Sequence, residues 1–429
     1  MSGANTRVIA AHVLDAVLHR GRSLKAELGS ALPKLPDPRD RALVEAAVMA
    51  ALREHGRYAD TLAQWMSRPP GARDGLLRSL IYIGLAQLDA MKLPAHAAVD
   101  ATVEAARLSG RAHQAGLVNA LLRRALREPL PPARVDAAWP EWLANRIRAA
   151  WPDDADKIFA TSSEPPPMWL RVNRQRIPRA LYAERLAEVG IDHHLSDVLE
   201  DAIRLDTPIP VTALPGFEEG QVSVQDGSAQ RLVDALEGLP ADAKVLDACA
   251  APGGKAAHIA ERHPDTRQLA IDVDERRVRR MQEGFARLGL DIATGVADAT
   301  SPKSIPAEGG FDAIVIDAPC SATGIVRRQP DILLHRRADD VDALIGLQIR
   351  LLEASWSMLK PGGTLLYATC SILPEENTRN VADFIARHAD ARLQPLDARF
   401  GRDTGHGHQR LPGEDGTDGF FYARIDKQA

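Results

Sequence analysis

A chain of 429 residues, 45% of them hydrophobic, exceeds one ordinary domain, so two or three compact domains are expected. No apolar run approaches the roughly 18 residues of a membrane span, and the first residues lack the basic-then-apolar layout of a signal peptide, so a soluble cytoplasmic protein is expected. Three cysteines, at 249, 320 and 370, exclude a disulfide framework and lack zinc-site spacing, while the net charge of −5 hides an asymmetry: residues 1–150 carry 21 Lys and Arg against 14 Asp and Glu, and residues 151–429 carry 32 against 44.

That surplus makes the N-terminal third basic, which suits contact with nucleic acid, although a solvated basic surface is the commoner reason for it. From residue 6 to about 128 the apolar residues recur at helical spacing, as in Val13, Leu14, Val17 and Leu18, while 76–88 is more fully apolar. Five to seven helices in a bundle are expected, punctuated by Pro33, Pro36 and Pro38 and by Pro69-Pro70-Gly71. The last carries Arg123, Arg124 and Arg127, where a cation either complements the helix C-terminus or meets a phosphate, and the pattern favours neither.

Pro129, Pro131 and Pro132 mark a linker. Beyond it come a helical piece around 142–150, a hinge at Pro165-Pro166-Pro167, a strand at 168–173, a helix at 179–189 and weak strands near 203 and 222, which make a small α+β module. Arg171, Arg174, Arg176 and Arg179 form its densest basic cluster, a pattern that is usually just a solvated edge but that could help grip phosphates.

From about residue 221 strand and helix alternate: 244–249, a glycine-rich turn opening a helix through 261, then 269–272, 274–288 and 294–298. A strand at 311–316, a helix-sized segment at 339–359 and a strand at 363–369 follow, and a run at 420–424 would close an edge of the sheet. The expected fold is α/β, a doubly wound Rossmann-like domain over 221–429, preceded by an all-α domain over 1–130 and the small α+β module over 131–220.

In such sheets ligands bind where the strands end. The run Asp247 to Lys255 puts glycines where a strand turns into a helix, so backbone and helix N-terminus can approach an anion. It has neither GxGxxG spacing nor GKS or GKT, which disfavours dinucleotides and triphosphates, and a carboxylate-bearing nucleoside fits better. Asp272, 19 residues after Gly253, stands where a ribose-binding acid is expected, and Asp298 ends the third strand, placed to read an adenine amine. Each aspartate singly is more often a turn or cap residue. Three acids at three consecutive strand ends, with the glycine-rich turn, make S-adenosyl-L-methionine the expected cofactor.

Asp317-Ala318-Pro319-Cys320 leaves the β-branched strand at 311–316, and Cys370 leaves the strand at 363–369. If those strands are parallel neighbours, about 4.8 Å apart, both thiols crown one crevice. Free cysteines are usually small core residues, a reading accepted for Cys249. It fits Cys320 and Cys370 poorly, so both are nucleophile candidates, and spacing does not choose between them.

DACAAPGGK, VIDAPCSATG, RRQPD and YATCSILPEEN look like the motif set of the RNA cytosine-5 methyltransferases, and the basic helical region resembles the NusB fold carried by the RsmB branch of that family. The resemblance covers essentially the whole chain. It implies methylation of one cytosine in 16S ribosomal RNA, with Cys370 attacking carbon 6, Cys320 assisting release and Asp317 bonding the N3 and N4 edge. Cys249, Ala250, Ala251, Pro252, Gly253, Gly254, Lys255, Asp272, Asp298 and Asp317 would hold the cofactor; no metal is implied. The partner would be 16S rRNA or a small-subunit assembly intermediate, met by a monomer, with Arg327, Arg328 and Asp331 bordering the RNA channel. The target base must leave its stack, so loop or transiently opened RNA is expected. The alternatives are a transfer-RNA or DNA cytosine methyltransferase, a small-molecule methyltransferase, and a NusB-like RNA-binding regulator with a silent catalytic fold.

Overall fold

Apolar residues at three- and four-residue spacing build α1 (Gly3–Arg20), α2 (Leu24–Ala31), α3 (Pro38–Arg53), α4 (His55–Trp65), α5 (Gly75–Asp89), α6 (Ala95–Leu108) and α7 (Ala115–Arg127). The near-continuous apolar stretch is α5, whose Leu80, Ile81, Ile83 and Leu85 are fully buried. A side chain at Gly84 would put its Cβ 2.7 Å from the Leu122 side chain, so glycine is what lets α5 approach α7. Of the α7 arginines, Arg123 donates to Asn119, while Arg124 pairs with Glu128 and lies over the Trp65 ring. After the proline linker come α8 (Glu141–Ala150) and α9 (Ala155–Ser163).

The computed structural model describes residues 3–428, which divide into two compact units, one of residues 3–165 with Val326–Arg336 and one of Pro166–Ile325 with residues 337–428. The second begins with β1 (Met168–Val172), α10 (Arg179–Glu188), β2 (His193–Leu195), β3 (Ala202–Leu205) and β4 (Val222–Val224). These strands form an antiparallel sheet in the order β2-β3-β1-β4, with Tyr182 and Leu186 of α10 in its core.

The arginine cluster here is a solvated edge at Arg174 and Arg176, which are exposed, but not at Arg171. Arg171 is 1% exposed and donates to both Glu261 oxygens at 2.8 Å, to Gln225 and to the Gly254 carbonyl. Arg174 pairs with Asp201 and Glu200, and Arg176 and Arg179 donate to backbone carbonyls. Arg171 is buried because every residue of β1 is, whereas the other three arginines follow the strand. Arg171 therefore braces the module against the catalytic sheet and does not grip phosphate.

The catalytic sheet is assembled from α11 (Gly227–Arg231), β5 (Lys244–Asp247), α12 (Gly254–Arg262), β6 (Arg267–Asp272), α13 (Glu275–Leu288), β7 (Ala293–Val296) and β8 (Phe311–Asp317). The chain continues through α14 (Ile332–His335), α15 (Ala338–Met358), β9 (Leu359–Thr369), α16 (Thr378–Arg387), β10 (Ala391–Gln394), β11 (Arg402–Asp403), β12 (His408–Arg410) and β13 (Phe420–Lys427). Strands β7-β6-β5-β8-β9 are parallel, and the winding reverses between β5 and β8, the place where an α/β sheet opens a crevice. Ala313 and Val315 face one core of β8 while Ile314 and Ile316 face the other, which is why that strand reads as an unbroken apolar run. β13 covers the β9 edge of the parallel strands, as expected; it pairs antiparallel with β9, and β10 and β12 pair with it in turn.

The segment Val326–Arg336, with its RRQPD motif, belongs to the helical unit. Asp331 accepts from the Leu24 amide at the start of α2, Arg53 donates twice to the Arg327 carbonyl, and Leu334 packs on the helical core. Burial, with the charges of Arg328 and Arg327 adding to it, pushes the Arg53 guanidinium down to about 10.

Candidate active site

β8 ends at Asp317, whose register partner on β9 is Ala368, so Cys320 and Cys370 come off neighbouring strands. Their sulfurs lie 3.4 Å apart. The Cys320 thiol is held well above its ordinary range by its bond to Cys370, by burial and by the charges of Cys370 and Glu376, and it stays neutral. Lys255, in the first turn of α12, donates to Asp317 at 2.5 Å and stands 5.4 Å from the Phe420 ring centre. Burial works against its ammonium, but Asp317, Asp247 and Cys370 outweigh it and raise the pKa, so the charge is kept.

A cavity of about 290 Å³ opens beside the sulfurs. Of the residues singled out from sequence, Cys249, Ala251, Asp272, Asp298, Asp317, Cys320 and Cys370 line it, together with Arg277. Asp272 is 3.0 Å from Arg277, which also donates to the Ala251 carbonyl; Asp298, exposed beyond β7, accepts from the Thr300 amide and hydroxyl. Ala250 and Lys255 stand outside the cavity, and Pro252, Gly253 and Gly254 border a separate one of about 240 Å³ with Arg171 and Arg287. Gly253 has φ 97°, and a Cβ there would meet Met281 at 2.7 Å, so only glycine makes this turn without strain. A larger cavity of about 420 Å³, against Trp169, Arg204 and Arg410, contains none of these residues. Burial pushes the Cys249 thiol far up, which suits a packing residue on the cavity wall rather than a nucleophile.

Asp247, at the end of β5, is 3% exposed, and neither carboxylate oxygen completes a well-aligned hydrogen bond, the Cys249 amide pulling only weakly on it. Burial pushes its carboxyl up to about 7, with Lys255 pulling the other way and Asp317 and Asp272 adding to the rise. A poorly satisfied acid at the glycine-rich turn fits a ligand that brings N–H or O–H donors, as S-adenosylmethionine does. The unfolded chain loses this proton near pH ~4, so between there and about 7 the folded state binds more proton and stability falls as pH rises. Between about pH 5 and about pH 8 this group should cost about 3 kcal/mol. Asp247→Asn, neutral throughout, should flatten that part of the profile when both proteins are unfolded in urea across the range; parallel profiles would refute the assignment.

The comparisons with known proteins agree along the whole chain. Residues 4–127 match the NusB family, 139–212 the ferredoxin-like domain of the RsmF/B-like methyltransferases and 235–426 the 16S rRNA methyltransferase RsmB/F family. Ribosomal RNA small subunit methyltransferase B of Xanthomonas campestris pv. campestris is 56% identical over 428 residues, which span 99% of this chain and 98% of the relative. The chain belongs to the RsmB/F family of 16S rRNA methyltransferases.

The same-named protein of Cronobacter sakazakii is 42% identical across 99% of both chains. The crystal structure of PH0851 covers 98% of this chain and 99% of its own with a TM-score of 0.80; its 24% identity establishes the shared fold. A methyltransferase homolog from Pyrococcus horikoshii is 31% identical, covering 67% of this chain and 95% of its own at a TM-score of 0.58. As a member of the RsmB/F family the chain is an S-adenosylmethionine-dependent rRNA methyltransferase. Sequence reasoning counted Asp247 only as one of three acids at strand ends and gave no role to Arg277 or Glu376. Asp247 and Glu376 stood in view, since the first opens DACAAPGGK and the second lies in YATCSILPEEN; Arg277 carried no signal beyond its place one turn into α13.

Proposed function

We propose that this RsmB/F-family chain methylates carbon 5 of one cytosine in 16S rRNA through a covalent adduct between Cys370 and carbon 6. The observation that carries the reading is the 3.4 Å approach of two sulfurs above a cavity they share with Asp317. Carbon 5 of cytosine is too weak a nucleophile to attack a methyl sulfonium directly. Addition of the Cys370 thiolate to carbon 6 turns the ring into an enamine and makes carbon 5 nucleophilic. Lys255, held cationic, stands at the same site and donates to Asp317. Asp317 bonds the N3 and N4 edge and aids proton transfer to the ring. Cys320 assists release once carbon 5 has lost its proton.

S-adenosylmethionine, when bound, supplies the electrophilic methyl group. Cys249 and Ala251, on the cavity wall, would hold its amino-acid end and Asp272 its ribose, with Ala250, Pro252, Gly253, Gly254 and Lys255 shaping the turn behind them. Asp298 would read the adenine, and Asp317 would border the methyl. The basic helical bundle of residues 1–130 would grip RNA phosphates, and a monomer would meet either naked 16S rRNA or an assembling subunit.

Mass spectrometry with RNA carrying 5-fluorocytosine tests the reading, because fluorine at carbon 5 blocks the proton loss that frees the enzyme. A stable adduct in the wild type and in Cys320→Ala, absent in Cys370→Ala, is the expected result. An adduct that survives loss of Cys370 would transfer the role to Cys320, and no adduct in any protein would sink the covalent route.

A further inference from the structure

Beneath the two sulfurs lies a buried carboxylate that the proposed chemistry does not use. Glu376 is 0% exposed. Its Oε1 accepts from the Ser321 amide at 2.7 Å and from Gln348 Nε2 at 3.0 Å, and its Oε2 accepts from the Ser321 and Ser371 hydroxyls, each at 2.5 Å. An ionised carboxylate offers about four acceptor sites, so this one is fully satisfied by hydrogen bonds. Ser321 and Ser371 are the residues that directly follow the two cysteines, and one oxygen of one side chain receives both hydroxyls. Gln348, reaching from α15, spends its second hydrogen on the Pro319 carbonyl, directly before Cys320. A buried carboxylate held by hydrogen bonds alone is a costly brace where apolar packing would serve stability as well.

We infer that Glu376 is a positioning residue that ties the Cys320 loop to the Cys370 loop and thereby sets the separation of the two sulfurs. Its catalytic consequence rests on the two-cysteine reading above, whereas its geometric consequence stands without it. The loops keep other ties, from the Gly324 amide to the Cys370 carbonyl at 2.9 Å and from the Ile372 amide to the Thr323 hydroxyl at 3.0 Å. Loss of the carboxylate therefore shifts the sulfurs and leaves the fold standing. The charge of Glu376 also contributes, after the Cys370 bond, burial and the Cys370 charge, to holding Cys320 as a neutral thiol.

Diamide reads the sulfur separation without reference to catalysis. Two thiols give up two hydrogens to it, a disulfide forms and diamide is reduced to the hydrazine; peptide mass mapping identifies the Cys320–Cys370 pair. In the full chain, crosslinking should slow by about tenfold in Glu376→Ala and in Ser371→Ala, and kcat should fall by roughly 10- to 100-fold with both KM values within about twofold. Glu376→Gln, which still bonds both serines, should recover most of each loss. Crosslinking at the wild-type rate in Glu376→Ala and Ser371→Ala would overturn the inference, and if Glu376→Ala does not melt cooperatively, Ser371→Ala alone decides. Slowed crosslinking in a protein whose wild type forms no adduct with 5-fluorocytosine RNA would keep the positioning role and remove the covalent mechanism instead.

Discussion

Cys370→Ala is expected to lower methyl transfer to 16S rRNA by at least about 10⁴-fold, the scale of loss when a covalent nucleophile is removed and only binding and electrostatics remain. Affinity for S-adenosylmethionine should stay within about twofold, because the substitution shortens one cavity wall and leaves Asp247, Asp272 and the glycine turn in place. Cys320→Ala should behave differently. Its thiol is held neutral and assists release, so its loss should slow release and let adduct accumulate on ordinary RNA. Methyl incorporation from labelled cofactor, read beside intact-mass detection of the RNA–protein adduct, separates the two. Equal residual turnover in both variants, with no adduct in either, would end the division of labour between the thiols.

Arg171→Ala should destabilise the protein by about 3–5 kcal/mol, the usual result of removing one partner from a buried ion pair. Arg171 and Glu261 are each 1% exposed in their side chains, so the variant leaves a buried carboxylate without its paired cation, the more distant charge of Arg287 alone favouring it. Burial already raises the Glu261 pKa more than Arg171 lowers it, which shows how poorly that charge is solvated. The double variant Arg171→Met with Glu261→Met should be markedly less destabilised than Arg171→Ala, since apolar replacements remove the orphaned charge along with the pair. Urea denaturation of the wild type and the two variants checks this, and a double variant as destabilised as Arg171→Ala would contradict it. The single variant should also weaken cofactor binding, because Arg171 holds the Gly254 carbonyl in the turn that begins α12.

These expectations divide by how far the signal travels along the chain. The strands at 244, 269, 311 and 363 were legible because a buried parallel strand must be apolar on both faces, and the glycine turn because Gly253 adopts a backbone that side chains resist. Cys320 and Cys370 were legible as a pair because both strands end at the sheet edge where ligands bind. Arg171 of the small module was not, since nothing near it in the sequence announces that its partner Glu261 lies 90 residues away. The partner of β13 was not legible for the same reason: its own residues say strand at an edge, but only its neighbour β9 says which edge.

Local pattern, set by the alternation of apolar and polar residues and by the few residues that permit sharp turns, thus determined the order of elements, the sheet class and the motifs at its edge. Folding alone decided which polar groups lost water and what replaced it, bringing Ser321 to Glu376 across 55 residues and one sulfur to within 3.4 Å of another. A buried charge or thiol takes its character from whatever the fold packs against it, and those neighbours come from distant parts of the chain.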